Sequence, residues 1–453
     1  MNRFSAIILA AGMGTRMKSD KCKVLHEICS KPLVKWVYEA CSKAGSDRTV
    51  IVIGHKKEDV VETMGGDKMY AVQSERLGTG HAVMQAETFF EDYDGTIVIL
   101  NGDTPLIKSE TIDKAVNYHV KCKNSATVIS AKIENPTGYG RIVRSKDGDF
   151  ECIVEHKDAT DEQRKICEIN SGMYCFNARD LFDALSKITN NNAQHEYYLT
   201  DTMAVLKKLG KKADAYVMDD YEEMLGVNDR VDLANAQRIM QAQINKKHLL
   251  NGVTIIDPLN TYIDDEAEIG ADTVIYPSSI IKGHSIIGKN CIIGPSTTVD
   301  DCSVGSGTSV VNSVICDSTI GINTSVGPFA YVRPNSHIGS NIKIGDFVEI
   351  KNSTIADGTK VAHLTYVGDS DVGSNVNFGC GTVTVNYDGE KKFRTVIGNN
   401  VFIGCNANLV APVKIADSAF IAAGSTITED VEPNSLAIAR SRQVVKSGWR
   451  KNK

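Results

Sequence analysis

Three groups of residues have the types and spacing that chemistry needs. The first lies in ILAAGMGTRMKSDKCKVLH, Ile8 to His26, where an apolar run meets two glycines and then Arg16 and Lys23. A glycine-rich turn after a strand offers backbone N–H groups to an anion, and two cations nearby neutralise a polyphosphate. The turn lacks the third glycine of G-x-G-x-x-G and is not followed by Lys-Ser/Thr. It is therefore neither the dinucleotide fingerprint nor a Walker A loop, and an ordinary strand-to-helix turn is the competing reading. The second group ends the run TIVILNGD (96–103), where Asp103 follows a buried strand. Ligands of open α/β sheets bind at that carboxyl edge, and a hard carboxylate there suits Mg²⁺. A turn or cap aspartate would look the same. The third group is Arg333, Lys351, His363 and Tyr366, whose spacing has meaning only on a repeat.

Two kinds of element must hold these groups. Residues 1–228 alternate apolar strands, SAIILAA, TVIVIG, TIVILNGD and ATVISAKI, with helical patterns such as 31–45 and 109–120. Near-continuous apolar strands between helices predict a mostly parallel sheet covered on both faces. A polar helical stretch, 229–250, reads as a linker. From 251 to 453 aliphatic residues recur every six positions: Ile263, Ile269, Ile275, Ile281, Ile287, Ile293, Val299. After slips the run resumes at Ile320, at Ile355 and at Ile397. This is the hexapeptide repeat of a parallel β-helix, with aliphatic residues inward and small residues at the corners. Three hexads per coil over 251–430 give about ten coils and a prism about 48 Å long.

On this lattice, positions three steps apart share a face. Arg333 and Lys351 stack one coil apart and point outward, where they can hold a phosphate. Tyr366 lies on the same face. His363 falls at the corner leading into it and is suited to act as a general base near neutral pH. Cys380 lies over His363, flanked with Asn377 around Phe378. Cys405 and Ala423 repeat the same corner offset, leaving a groove lined by small side chains. The stretch TVTVNYDGEKKFRT (382–395) is too long for one hexad and is expected to protrude as a loop.

The net charge of −6 argues against a general nucleic-acid or anionic-membrane binder. The twelve cysteines occur singly, without C-x-x-C or zinc spacing, which reads as free thiols in a reducing compartment. SAIILAA runs straight into a glycine turn, unlike a signal peptide, and no stretch has the length of a membrane span. A cytoplasmic location is expected.

LAAGMGTRM with Lys23, QSERLGTGHA, NGD, GYGRI, IVEHKDA, EYYLTD and GVNDR resemble the sugar-nucleotide pyrophosphorylases. Together with the hexapeptide half and the loop NYDG (386–389), nearly the whole chain resembles one family. These are the bacterial bifunctional N-acetylglucosamine-1-phosphate uridylyltransferase/glucosamine-1-phosphate N-acetyltransferases. The resemblance implies a Rossmann-like α/β nucleotidyltransferase domain followed by a left-handed parallel β-helix. It also implies that the two activities in series make UDP-N-acetylglucosamine for the bacterial cell envelope.

For the first domain it implies that the segment Leu9, Ala10, Ala11, Gly12, with Lys23, holds the nucleotide. Gln73, Gly78 and Thr79 would contact uracil and ribose. Gly140, Glu155, Asn170 and Tyr198 would hold the sugar, and Asp103 and Asn228 would bind Mg²⁺. Arg16 and Lys23 would assist uridylyl transfer from UTP. For the second domain it implies that Arg333 and Lys351 hold the sugar phosphate. Tyr366, Asn377, Asn386 and Tyr387 would contact the sugar or the acetyl group, and His363 would be the base. Glu349 is expected to orient His363. Cys380, Cys405, Ala423 and Arg440 would line the acetyl-CoA groove, with cysteines standing where small Ala and Ser residues are familiar. A homotrimer with shared acetyl-transfer sites is implied as well. A single-activity pyrophosphorylase whose β-helix only oligomerises is the alternative, and a pure scaffold is a third reading. A passive prism needs neither His363 nor the loop bearing Asn386 and Tyr387.

Overall fold

A computed structural model describes residues 2–192 and 194–450. The chain divides into two compact units, Met1–Met240 and Gln241–Lys453. The division falls within the helix Arg230–Leu250, in the stretch the sequence reads as a linker.

The sheet of the first unit is built from β1 (Phe4–Ala10), β2 (Ser46–Ile53), β3 (Met69–Val72), β4 (Thr96–Asn101), β5 (Ala126–Lys132), β6 (Arg141–Arg144), β7 (Phe150–Val154), β8 (Glu168–Asn177) and β9 (Ala213–Val217). The central order is β9-β5-β8-β4-β1-β2-β3. Strand β1 is parallel to both neighbours, with Ile7 opposite Val50 and Ile99. Successive strand residues face opposite sides, and both sides are covered. Ile8 packs with Val34, Val37 and Ile112, from helices Leu33–Lys43 and Ser109–Lys121. Ile7 packs with Val83 and Leu181. This double burial is why β1 and β4 read as unbroken apolar runs.

The sheet is mixed rather than mostly parallel. Strand β8 runs antiparallel between β4 and β5, and β6 and β7 form a ribbon attached to it. The middle of β8 reads Asn170-Ser171-Gly172, and its register with β5 shifts there. Polar residues and a glycine interrupt the apolar run, so its strand signal in the sequence is weak.

The second unit is a left-handed parallel β-helix. Its short strands form three parallel stacks of 11, 10 and 9 strands. Registered pairs run Ile263–Ile281–Val299–Ile315–Val332–Ile350–Val367, coil upon coil. Every hexad residue predicted to point inward is buried except Ile269, which is half-buried. The first slip in the repeat is a set of shortened hexads: Val304, Val310 and Ile315 carry the core through it. Buried corner hydroxyls satisfy backbone carbonyls between coils, as when Thr308 Oγ1 donates to Gly321 O at 2.7 Å. Asparagines at other corners take the left-handed conformation, which they tolerate better than most residues. The long insertion leaves strand Val383–Val385 and rejoins at Thr395–Ile397. Among the described residues no helix is long and apolar enough to cross a membrane.

Candidate active sites

The first site opens at the carboxyl edge of β1 and β4. A cavity of about 550 Å³ is lined by the Leu9–Gly12 backbone segment, Lys23, Gln73, Gly78, Thr79, Asp103 and Asn228. A second cavity, of about 750 Å³, shares Leu9, Thr79 and Asn101 with it and is lined by Glu155, Asn170 and Tyr198. The two form one groove with a cationic end and a sugar-sized end.

Local sequence explains how the cationic end is held. Gly14 has a φ of +61°, and a Cβ there would collide with the Lys23 side chain, so the glycine turn lies directly on the lysine. The Lys23 ammonium contacts the Asp103 carboxylate and donates to Asn228 Oδ1 at 3.0 Å. Arg16, exposed at the rim, donates to the same Asn228 oxygen at 2.9 Å. The Val227 N–H donates to the Asp103 carbonyl at 2.8 Å, which ties GVNDR to NGD. Gly78, with φ +103°, has the Tyr197 carbonyl 2.6 Å from where a Cβ would sit. Its own carbonyl accepts from Gln73 Nε2 at 3.1 Å, fixing which way that amide points.

At the sugar end a Cβ on Gly140 would lie 3.3 Å from Glu155 Oε1 and 3.5 Å from Asn170 Cβ. The glycine thus packs the two polar side chains together. Burial pushes the Glu155 carboxyl above its ordinary value, and the charges of Asp158 and Asp201 add to the rise. Glu155 is nonetheless exposed at the groove wall, where a hydroxyl-bearing ligand would reach it.

The second site is a corner of the β-helix. Asp346 and His363 are registered partners on adjacent coils. The His363 Nδ1 edge meets Asp346 Oδ1 at 2.7 Å. That bond first, then the aspartate's own backbone, holds the Asp346 carboxyl below its usual range. Glu349 does not orient His363: its Oε1 accepts from Arg333 Nη1 at 2.8 Å. The reason is register. Glu349 lies opposite Tyr366 on the next coil, whereas the residue opposite His363 is Asp346. Leu364, just after the histidine, has a φ of 39°, the left-handed corner conformation that recurs along the prism, as at Phe329 and Phe347.

Arg333 and Lys351 occupy successive coils on the neighbouring stack, as the lattice requires. A third cation, Lys392 from the protruding loop, joins them: its ammonium beside Lys351 is the largest influence pulling the Lys351 pKa down, ahead of burial. Sequence reasoning missed Lys392. The EKK triplet in the loop was its only signal. Asp369, 7% exposed on its side chain, lies 3.8 Å from Lys351. It also accepts from Asn386 Nδ2, which reaches Tyr366 Oη at 3.4 Å. Asp369, like Asp346 and Lys392, is a residue the sequence did not single out. Asn386 thus anchors the loop to Asp369, beside Lys351, while Tyr387 stays exposed and donates to the Gly389 carbonyl at 2.5 Å. Asn377 lies on the other stack, in the strand that leads to Cys380. Cys380 and Cys405 continue the His363 corner, and the Ala423 coil follows. A Cβ on Gly424 would lie 3.8 Å from Arg440 Cδ, so Arg440 stands beside the top of that column.

The family model described as nucleotidyl transferase matches residues 5–248. The model of the bacterial transferase hexapeptide (six repeats) matches 266–301, 317–352 and 394–429. The bifunctional protein GlmU of Acetivibrio thermocellus is 58% identical over 449 residues, covering 99% of this chain and 97% of that protein. GlmU of Caldanaerobacter subterraneus subsp. tengcongensis is 54% identical over 99% of this chain and 98% of its own. GlmU of Clostridium beijerinckii is 54% identical over 98% and 97%. The chain belongs to the family of bifunctional GlmU proteins, transferases that acetylate glucosamine 1-phosphate and join the product to UMP to make UDP-N-acetylglucosamine.

Proposed function

We propose that the sheet-edge groove carries out uridylyl transfer and the β-helix corner carries out acetyl transfer. In the groove the Ala11–Gly12 turn, Arg16 and Lys23 hold the triphosphate of UTP. Gln73, Gly78 and Thr79 read uracil and ribose, and Gly140, Glu155, Asn170 and Tyr198 hold the sugar. A phosphate oxygen of N-acetylglucosamine 1-phosphate attacks the α-phosphorus, and pyrophosphate leaves. The chain's part is alignment and neutralisation of charge. Asp103 and Asn228 are the residues that would hold Mg²⁺. They fit it, because two hard oxygen donors already converge on one cation, the Lys23 ammonium. When bound, the ion would add Lewis-acid neutralisation of the phosphates.

At the corner Arg333, Lys351 and Lys392 hold the phosphate of glucosamine 1-phosphate, with Tyr366, Asn377, Asn386 and Tyr387 around the sugar and acetyl group. His363 takes a proton as the amine attacks the thioester of acetyl-CoA and returns it to the departing coenzyme A thiolate. Asp346 keeps Nδ1 protonated, so Nε2 is the basic nitrogen. Cys380, Cys405, Ala423 and Arg440 line the coenzyme A groove. A homotrimer that shares these corner sites, working in the cytoplasm, completes the proposal.

The Asp346–His363 pair beside a cluster of three cations is the observation that carries it, since a purely oligomerising prism requires neither. The test is release of coenzyme A thiol from acetyl-CoA and glucosamine 1-phosphate by the intact chain and by His363→Ala, with uridylyl transfer followed in the same samples. Acetyl transfer that collapses while uridylyl transfer survives is the expected result. No thiol release from the intact chain would leave a one-reaction pyrophosphorylase.

A further inference from the structure

The corner column that carries His363 continues through two thiols. Asn377 pairs with Phe402 and Phe378 with Ile403. The strands end there, and Cys380 and Cys405 stand two residues beyond, in the turns of successive coils, where the Asn406 N–H donates to the Cys380 carbonyl at 2.8 Å. The Asn406–Cys380 bond keeps the two turns stacked at the coil spacing, about 4.8 Å. That falls inside the roughly 4.4–6.8 Å window a disulfide needs. Both thiols are exposed. Each follows a glycine, Gly379 or Gly404, so no preceding side chain covers it. The Asp346–His363 pair forms the coil below, and the coil above offers only the Ala423 methyl.

The remaining cysteines lack these features. Cys41, Cys175 and Cys302 are buried, and burial pushes each thiol up to about 12, which makes them inert. Cys152 is exposed, but its registered partner is Val143.

We propose that Cys380 and Cys405 are a reversible redox pair that closes to a disulfide across the acetyl-transfer corner and stops that reaction while uridylyl transfer continues. The oxidant is a low-molecular-weight disulfide, RSSR. The Cys380 thiolate attacks one sulfur of RSSR, forming a mixed disulfide and expelling one RS⁻. The Cys405 thiolate then attacks the Cys380 sulfur and expels the second RS⁻. Two cysteine thiols are oxidised, RSSR is reduced to two RSH, and the two cysteine protons end on the released thiols. A dithiol reverses the sequence. The bond narrows the groove and replaces two mobile side chains with a fixed bridge beside His363. Silencing of acetyl transfer rests on the reading of this corner given above, whereas formation of the bond does not.

The test equilibrates the full chain with glutathione buffers of increasing oxidised fraction, blocks free thiols and maps tryptic peptides. Cleavage after lysine and arginine places Cys380 alone in 361–391 and Cys405 alone in 395–414, so the pair appears as a linked peptide two hydrogens lighter than its parts. Thiol release and uridylyl transfer are measured on the same samples. The expected result is loss of acetyl transfer in proportion to the linked fraction, recovery with dithiothreitol, and unchanged uridylyl transfer. A Cys380→Ala/Cys405→Ser double variant, compared with its own reduced level, should not respond to the oxidant. Absence of the linked peptide at the oxidising end overturns the pair, and full linkage with acetyl transfer intact overturns the switch. Acetyl transfer absent even in the reduced chain would instead refute the reading of the corner, while the peptide map would still decide the disulfide.

Discussion

Replacing Asp346 by Asn isolates what the carboxylate does for His363. The side chain keeps its size and an oxygen that still accepts from Nδ1, and only the charge is lost. In a buried Asp-His pair of a hydrolase the same change costs about 10⁴ in rate, largely through the wrong tautomer. Here the two side chains are 42% and 57% exposed, so water competes for the imidazole and screens the charge. The expected loss in kcat for acetyl transfer is therefore about ten-fold, below the roughly 10²–10⁴ a general base contributes, because the imidazole itself remains. Asp346→Ala, which removes the acceptor as well, should lose more than Asp346→Asn. KM for acetyl-CoA should change little, because the aspartate touches the base and not the groove. Thiol release from acetyl-CoA, with uridylyl transfer as the folding control, measures all of this. Equal kcat in Asp346→Asn and the parent, or equal losses in both reactions, would refute the assignment. Glu349→Gln is the companion variant. Its partner is Arg333, so it should move KM for glucosamine 1-phosphate and leave kcat nearly constant.

Lys23→Met removes the ammonium that bridges Asp103 and Asn228. It should lower uridylyl transfer about 10²-fold, as loss of one charge-stabilising donor does, with acetyl transfer unaffected when both are assayed on one preparation. Acid should weaken the first unit through His119, which is 3% exposed and whose pKa burial lowers from 6.5 to about 4. The folded pKa lies below the unfolded one, so the unfolded chain takes up the proton first. Stability is full above pH 6.5, falls as pH drops, and has lost about 3 kcal/mol from this group below pH 4. Urea unfolding followed by Trp36 fluorescence in a Trp449→Phe background, with and without His119→Gln, should show a shallower pH dependence in the variant.

The sequence reports the β-helix almost coil by coil and reports the first unit much less well. A hexad repeat is a lattice, so residue number alone gives which side chains are vertical neighbours. That is how Arg333 under Lys351, and His363 under Cys380, were legible from the sequence. It fails where the chain leaves the lattice. Lys392 sits in the inserted loop, and a loop has no register from which to infer that its ammonium returns to Lys351. The orienting carboxylate was misread for a related reason. Glu349 is nearer the phosphate-binding face in sequence, but vertical register and not proximity along the chain decides which carboxylate meets an imidazole. In the first unit the strand that breaks the parallel pattern, β8, carries Asn170 in its irregular middle. The same polar residues that weaken its strand signal are the ones aimed into the groove.

The two sites solve one problem, the placing of charge against phosphate, by different physical means. In the groove Arg16 follows a glycine turn that lies on Lys23, and the position of the lysine depends on Gly14 permitting that close approach. Nothing vertical supports that turn, so any side chain at Gly14 must move the lysine. In the β-helix Arg333 and Lys351 stand at the ends of short strands hydrogen-bonded to the coils beside them, and the spacing between the two is the spacing between strands. A substitution in the buried aliphatic ladder therefore lowers stability before it alters that spacing, because the backbone ladder is shared by every coil. It follows that impaired uridylyl transfer should arise readily from backbone changes in the 12–17 turn. Impaired acetyl transfer in a folded chain should trace to the corner side chains themselves.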